Sequence, residues 1–207
     1  HAHYGVFAPV RAEYLDLVVR ARLGRTTVAF DIGTGTGVIA ALLAERGVEL
    51  VIATDSNPKA IECARDNIRA LKLENQVKLR ETDLFPEGQA DLIVCNPPWL
   101  PGRPASSLEH AIYDHDQRML KGLLNGAPAH LKAEGEVWLI LSDLAEHLKL
   151  RSRADLLALF DDAGLDVIER LDTRPVHPKS KDEEDPLADA RKLEITSLWR
   201  LKVQAVN

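Results

Sequence analysis

Short apolar runs alternate with amphipathic helical stretches along this chain, and few folds accept that alternation. Thr27-Val28-Ala29-Phe30-Asp31-Ile32 reads as a strand, and Val38 to Arg46 as the helix that follows it. Leu50 to Thr54 is a second strand. Asn57 is placed to cap the next helix, with Pro58 at its first position and an end near Leu73. Val77 to Thr82 and Leu92 to Cys95 are predicted as further strands. Asp114 to Leu131 then reads as a helix with Met119, Leu120, Leu123 and Leu124 on its apolar face. Val137 to Leu141 is a strand, Leu156 to Ala163 a helix, and Val167 to Arg170 and Leu193 to Leu201 the last strands. A helix over Val10 to Leu23, stopped by Gly24, precedes them all.

Such a chain predicts an α/β fold: a Rossmann-like, doubly wound, seven-stranded sheet, mostly parallel, with helices on both faces. No clear crossover helix joins the final two strands, so the last is expected to be antiparallel. A length of 207 residues suits one domain with a substantial core. Residues 1–24 form its N-terminal helical segment and residues 25–207 its core, with a polar loop insertion at about 176–191. The opening His1-Ala2-His3 lacks a methionine, which fits either an added remnant or the edge of a longer protein.

Charge narrows the partners. A net charge of −6 gives no global basic field to attract nucleic acid, although Arg20, Arg22 and Arg25 are clustered, as are Arg151 with Arg153 and Lys179 with Lys181. The bland reading of those clusters is solvated surface. Cys63 and Cys95 are the only cysteines and lack CxxC spacing, so neither a disulfide framework nor a zinc site is expected. A reducing cytoplasm fits them. No apolar run reaches the length of a membrane span, no signal-peptide pattern opens the chain, and no histidine has metal-ligand spacing.

The residues with chemical potential stand where the strands end. Gly33-Thr34-Gly35-Thr36-Gly37 separates a strand from a helix, where backbone must approach a ligand closely. A dinucleotide fingerprint would need glycine at position 38, which is Val38, so that motif fails. Asp31, just before the turn, would repel a diphosphate and suits a ligand carrying an ammonium group. Asp55 closes the second strand and could accept both hydroxyls of a ribose. Asp83 closes the third, where its carboxylate could take an adenine amino hydrogen while Leu84 packs on the ring. Taken singly, each Asp reads as a strand-end or cap residue. Their joint placement at carboxyl ends of parallel strands, where open α/β sheets bind ligands, carries the inference.

Asn96-Pro97-Pro98-Trp99 ends the fourth strand. Its prolines cannot continue a ladder, but their carbonyls and the Asn96 side-chain oxygen can accept hydrogen bonds. Beside the aromatic face of Trp99, these acceptors suit a planar group bearing –NH2.

DIGTGTG, TDSNP, TDLF and NPPW, in that order over Phe30 to Leu141, resemble the class I S-adenosylmethionine-dependent methyltransferases with an NPP[Y/F/W] active site. The nearest subgroup is the methyltransferase small domain, which includes enzymes for rRNA and tRNA bases and for release-factor glutamine. Phe7 to Glu13 resembles the proline–arginine–glutamate segment that precedes the core in the glutamine enzymes, while Trp99 departs from their usual tyrosine. The resemblance implies S-adenosylmethionine as cofactor, held by Asp31, Gly33, Thr34, Gly35, Gly37, Asp55, Ser56, Asp83, Leu84 and Asn96. Asn96, Pro97, Pro98 and Trp99 are the implied catalytic set.

An amide or aromatic amine is a poor nucleophile because its lone pair is delocalised. Asn96 Oδ1 and the Pro97 carbonyl would take its two hydrogens and orient it toward the methyl donor. The expected partner is a macromolecule, through a nucleic-acid base or a protein glutamine. A binding module without catalysis is the alternative, and nothing in the residues specifies an oligomeric state. Phe7, Pro9, Trp99 and Ser142 are candidate substrate contacts, although Ser142 reads equally as a helix cap. The loop from Lys179 to Asp185 reads equally as a substrate lid or a solvated segment.

Overall fold

The computed structural model describes residues 2–3, 6, 13–102, 113–174 and 188–205. In chain order, α1 (Glu13–Arg20) precedes β1 (Val28–Ile32), α2 (Val38–Glu45), β2 (Leu50–Asp55), α3 (Pro58–Ala70), β3 (Val77–Glu81) and β4 (Ala90–Cys95). Two short strands, β5 (Leu100–Pro101) and β6 (Tyr113–Asp114), then lead through a 3-10 turn at His115–Gln117 into α4 (Arg118–His130). The order closes with β7 (Leu131–Ser142), α5 (Leu144–His147), α6 (Arg153–Asp162), β8 (Leu165–Thr173), α7 (Ala188–Leu193) and β9 (Thr196–Val203).

The main sheet has seven strands in the order β3-β2-β1-β4-β7-β9-β8. β3, β2, β1, β4 and β7 pair in parallel, whereas β9 is antiparallel to both β7 and β8. The last strand is thus reversed, as expected, and it is inserted between its neighbours; β8 holds the edge. Side chains alternate across the strands and fill two cores. Ala29, Val94, Trp138 and Ile140 meet α1 and α2 on one face. Phe30, Ile93, Cys95, Val137 and Leu139 meet α4 and α6 on the other.

Several boundaries differ from expectation for local reasons. α1 ends at Arg20, before Gly24. The Arg46 guanidinium donates to the carbonyls of Val18 and Ala21, the latter at 2.8 Å, and so satisfies the end of that helix from another element. Asp114 is in a strand, so the long helix begins only at Arg118; Leu131 already belongs to β7. α6 starts at Arg153, three residues before Leu156, because Ser152 and Asp155 form a reciprocal capping box. Ser152→Ala is expected to lower stability by about 1 kcal/mol, read as a shift in the urea midpoint. The end of the polar stretch at 176–191 enters α7, and Leu193 finishes that helix where a strand was expected to start. The remainder of that stretch, with the loop from Lys179 to Asp185, lies outside the described residues.

Candidate functional site

Strand register assembles the site. Ile32 pairs with Thr54 on one side and with Cys95 on the other. Gly33, Asp55 and Asn96 are therefore each one residue past the same level of the sheet. This is also where the strand order reverses between β1 and β4, the position at which open α/β sheets bind ligands.

The turn after β1 has positive φ at Gly33 (71°), Gly35 (54°) and Gly37 (80°). Thr34 N–H donates to the Thr54 carbonyl at 2.8 Å, so the turn is pinned to β2. Gly35 N–H donates to Asp55 Oδ2 at 3.0 Å, and Asn57 N–H donates to Asp55 Oδ1 at 2.9 Å. Each oxygen keeps a lone pair for a further donor. Burial raises the Asp55 carboxyl above its ordinary range against these two hydrogen bonds. At Gly37 a Cβ would stand 3.2 Å from Ala64 Cβ, on a backbone that L side chains rarely adopt. Gly37→Ala is expected to lower stability by about 1–3 kcal/mol in urea denaturation.

Asp31 is 1% exposed. Thr34 Oγ1–H (2.6 Å) and Ala40 N–H (3.0 Å) both donate to its Oδ2. These partners are uncharged, and both bonds fall on one oxygen. Burial pushes the carboxyl up to about 7, the two hydrogen bonds oppose that, and the nearby Asp55 charge adds to it. An ammonium group would find here a carboxylate that no cation neutralises in those bonds. Among the described residues, and apart from its own chain neighbours, no heavy atom lies within 4 Å of where a Cβ on Gly35 would be, which leaves room for a ligand against its backbone. Both observations fit the amino-acid end of S-adenosylmethionine.

The third strand end is shaped by α4. Thr54 Oγ1 donates to the Leu84 carbonyl at 2.6 Å and holds Leu84 in a left-handed conformation (φ 63°). A Cβ on Gly122 would meet Leu84 Cδ1 at 2.7 Å, and one on Gly126 would meet Phe85 Cε2 at 2.5 Å. The two glycines, four apart on one helical face, let the Leu84–Phe85 segment pack against α4. Asp83 is exposed, and its Oδ2 accepts from Arg118 Nη2 at 2.7 Å. An exposed pair of this kind holds weakly and can open to another donor. Ser56 is exposed beside Asp55.

At the end of β4, Asn96 is half-buried and Pro97 buried. Trp99 packs against both hydrophobic cores, and its Nε1–H donates to Asn96 Oδ1 at 2.9 Å. The aromatic face expected from the sequence is thus partly enclosed, and its ring nitrogen is hydrogen-bonded to the neighbouring amide. Cys95 is wholly buried; desolvation, with Asp31, Asp114 and Asp55 nearby, holds its thiol well above the usual range. That makes it inert as a nucleophile. Ser142 is buried as well. Its hydroxyl donates to Glu194 and accepts the Leu144 N–H at 3.0 Å, which supports the helix-entry reading. Phe7 and Pro9 lie outside the described residues.

Two contributors escaped the sequence reading. Buried Asp114 accepts the N–H groups of Met119 and Leu120, each at 3.0 Å, and so anchors the start of α4. Met119 in turn reaches the glycine turn, where a Cβ on Gly33 would meet its Cε at 2.6 Å. The Gly122-x-x-x-Gly126 spacing was the available signal that a loop lies close against this helix. Among the described residues, no cluster of His, Cys, Asp or Glu could hold a metal ion.

Comparison with known proteins points the same way. Residues 3–163 match the family described as the methyltransferase small domain. Over 144 residues the chain is 35% identical to the release factor glutamine methyltransferase of Cereibacter sphaeroides, covering 62% of this chain and 51% of that protein. It is 34% identical over 131 residues to the tRNA1(Val) (adenine(37)-N6)-methyltransferase of Histophilus somni, covering 58% of this chain and 55% of that one. The chain thus spans about half the length of these relatives. A methyltransferase from Pyrococcus furiosus shares the fold, with a TM-score of 0.65 at 23% identity over 98% of this chain and 88% of that one.

Proposed function

Because the chain belongs to the methyltransferase small domain family, we propose that it methylates a planar –NH2 nitrogen of a macromolecule. S-adenosylmethionine, when bound, supplies an electrophilic methyl group on a sulfonium. Asp31, the Gly33–Gly37 turn and Asp55 would hold its amino-acid and ribose parts, with Asp83 and Leu84 at the adenine. The observation that carries this reading is the register that brings Gly33, Asp55 and Asn96 to one level of the sheet. That shared level supports a cradle next to the acceptor pair, Asn96 Oδ1 and the Pro97 carbonyl.

Those two acceptors would take the two hydrogens of the substrate amine and relieve positive charge as it grows on nitrogen. The proton can leave after transfer, so no dedicated base is needed. The names of the two relatives above support both a protein glutamine and an RNA adenine, which present the same planar –NH2. Two buried cysteines that are not joined in a disulfide suit a reducing, cytoplasmic setting. No helix among the described residues is long and apolar enough to cross a membrane.

Calorimetry with S-adenosylhomocysteine and with NADH tests the cofactor. Binding of the first alone is expected; binding of NADH alone would end the methyltransferase reading. Transfer of tritiated methyl groups into fractionated RNA, DNA and protein then identifies the acceptor. Steep salt dependence of acceptor binding would favour nucleic acid through counterion release.

A further inference from the structure

A carboxamide can present either its oxygen or its –NH2 to a given point, and the two orientations are nearly isosteric. For Asn96 the difference is total. With oxygen in place it accepts a substrate hydrogen; with nitrogen in place it opposes one. The hydrogen bond from Trp99 Nε1 to Asn96 Oδ1 at 2.9 Å removes this ambiguity. An indole nitrogen only donates, so it selects the oxygen-facing orientation. The ring itself has little freedom, because it is partly buried against both cores, which flank the sheet on opposite sides.

Building on the function proposed above, we infer that Trp99 is a positioning residue that locks the Asn96 amide so that one Oδ1 lone pair is left for the substrate amine. An amide oxygen has two lone pairs. The indole takes one, and the other is available for a single substrate hydrogen. The second hydrogen must then go to another acceptor, which the Pro97 carbonyl supplies. A phenylalanine here could offer an aromatic face but not a donor. The presence of tryptophan is thus explained by orientation, with stacking on the substrate as a separate matter.

The test separates the donor from the ring. Trp99→Phe keeps an aromatic plate and removes the N–H. The rate of tritiated methyl transfer at saturating S-adenosylmethionine and acceptor fraction is expected to fall about tenfold, with the acceptor KM little changed. An unchanged rate, or a rise in KM alone, would show that only the plate matters. A faster rate would show that the indole competes with the substrate for Oδ1. Either result overturns the inference.

A second measurement needs no substrate. The chain has three tryptophans, so the 15N spectrum carries three indole signals, and Trp99→Phe identifies one of them. In the complex with S-adenosylhomocysteine, Asn96→Ala is expected to move that signal upfield and speed its exchange with water. If the signal stays in place, the lock does not exist. Should Trp99→Phe fail to fold, Asn96→Ala still retains Trp99, and one of the three indole signals is expected to move while the other two stay; no movement of any signal overturns the lock. Should the wild-type protein transfer no methyl group to any fraction, the functional reading fails, while the spectrum still decides the coupling.

Discussion

Asn96→Ala is expected to lower methyl transfer by about 10²–10³-fold while leaving S-adenosylhomocysteine affinity within a few-fold of wild type. The amide oxygen would act on the acceptor nitrogen as it gains positive charge, so its loss is felt mainly in the transition state. Asn96 follows β4, whereas the Asp31–Gly35–Asp55 cradle is built on β1 and β2 with its own hydrogen bonds. The truncation therefore removes the acceptor and leaves the cradle standing. It also deprives the Trp99 N–H of its bond, so a modest fall in thermal midpoint is expected beside the kinetic loss. Single-turnover transfer with calorimetry on the same preparation checks both parts. Near wild-type transfer would remove Asn96 from the chemistry.

The second large effect concerns pH. Burial pushes the folded Asp31 carboxyl up to about 7, from 3.8 for an exposed carboxyl. Between about pH 4 and 7 the folded state holds a proton that the unfolded chain has lost. This contribution to stability is full below the lower value and disappears as pH rises through the upper one. A ligand ammonium reverses the preference, since it favours ionised Asp31. Cofactor binding then displaces the proton at acidic pH. S-adenosylhomocysteine affinity is expected to weaken about tenfold between pH 8 and 6, and about tenfold again by pH 5.

Asp31→Asn should flatten that profile and weaken binding by about 10²-fold or more, because the cation would lose its buried counter-charge. The fold should tolerate the change, since both recorded bonds reach the single oxygen Oδ2, which an amide oxygen can replace. At pH 8 the variant is expected to unfold at a higher temperature than the wild type, with one buried charge removed. A calorimetric series from pH 5 to 8 on both proteins checks these outcomes. A flat wild-type profile would mean that Asp31 does not face the ligand cation.

Much of the scaffold was legible because strands and caps are local. Phe30 and Ile32 alternate with Ala29 and Asp31 in the chain, and the same alternation sorts them onto opposite faces of β1. Asn57-Pro58 announced α3, and the Asn57 side chain does accept the Lys59 N–H. Where the reading slipped, a distant group was acting. Arg46, just past the end of α2, ends α1, and Asp114 anchors α4 from a short strand. α7 lies in a polar stretch with little apolar periodicity, so nothing local marked it.

The sequence by itself determined the alternating α/β plan, the glycine turn and the order of acidic and proline motifs, because each rests on periodicity or backbone geometry within a few residues. Only the tertiary structure decided what those motifs do to one another. Register placed Gly33, Asp55 and Asn96 at one level. Burial changed Asp31 from an ordinary carboxylate into one that titrates near neutrality. Packing left Trp99, read from the sequence as an aromatic face, half-buried and gave its indole N–H a bond to the Asn96 amide oxygen. Hydrogen-bond partners and desolvation depend on residues brought together by the fold, and spacing along the chain carries no record of them.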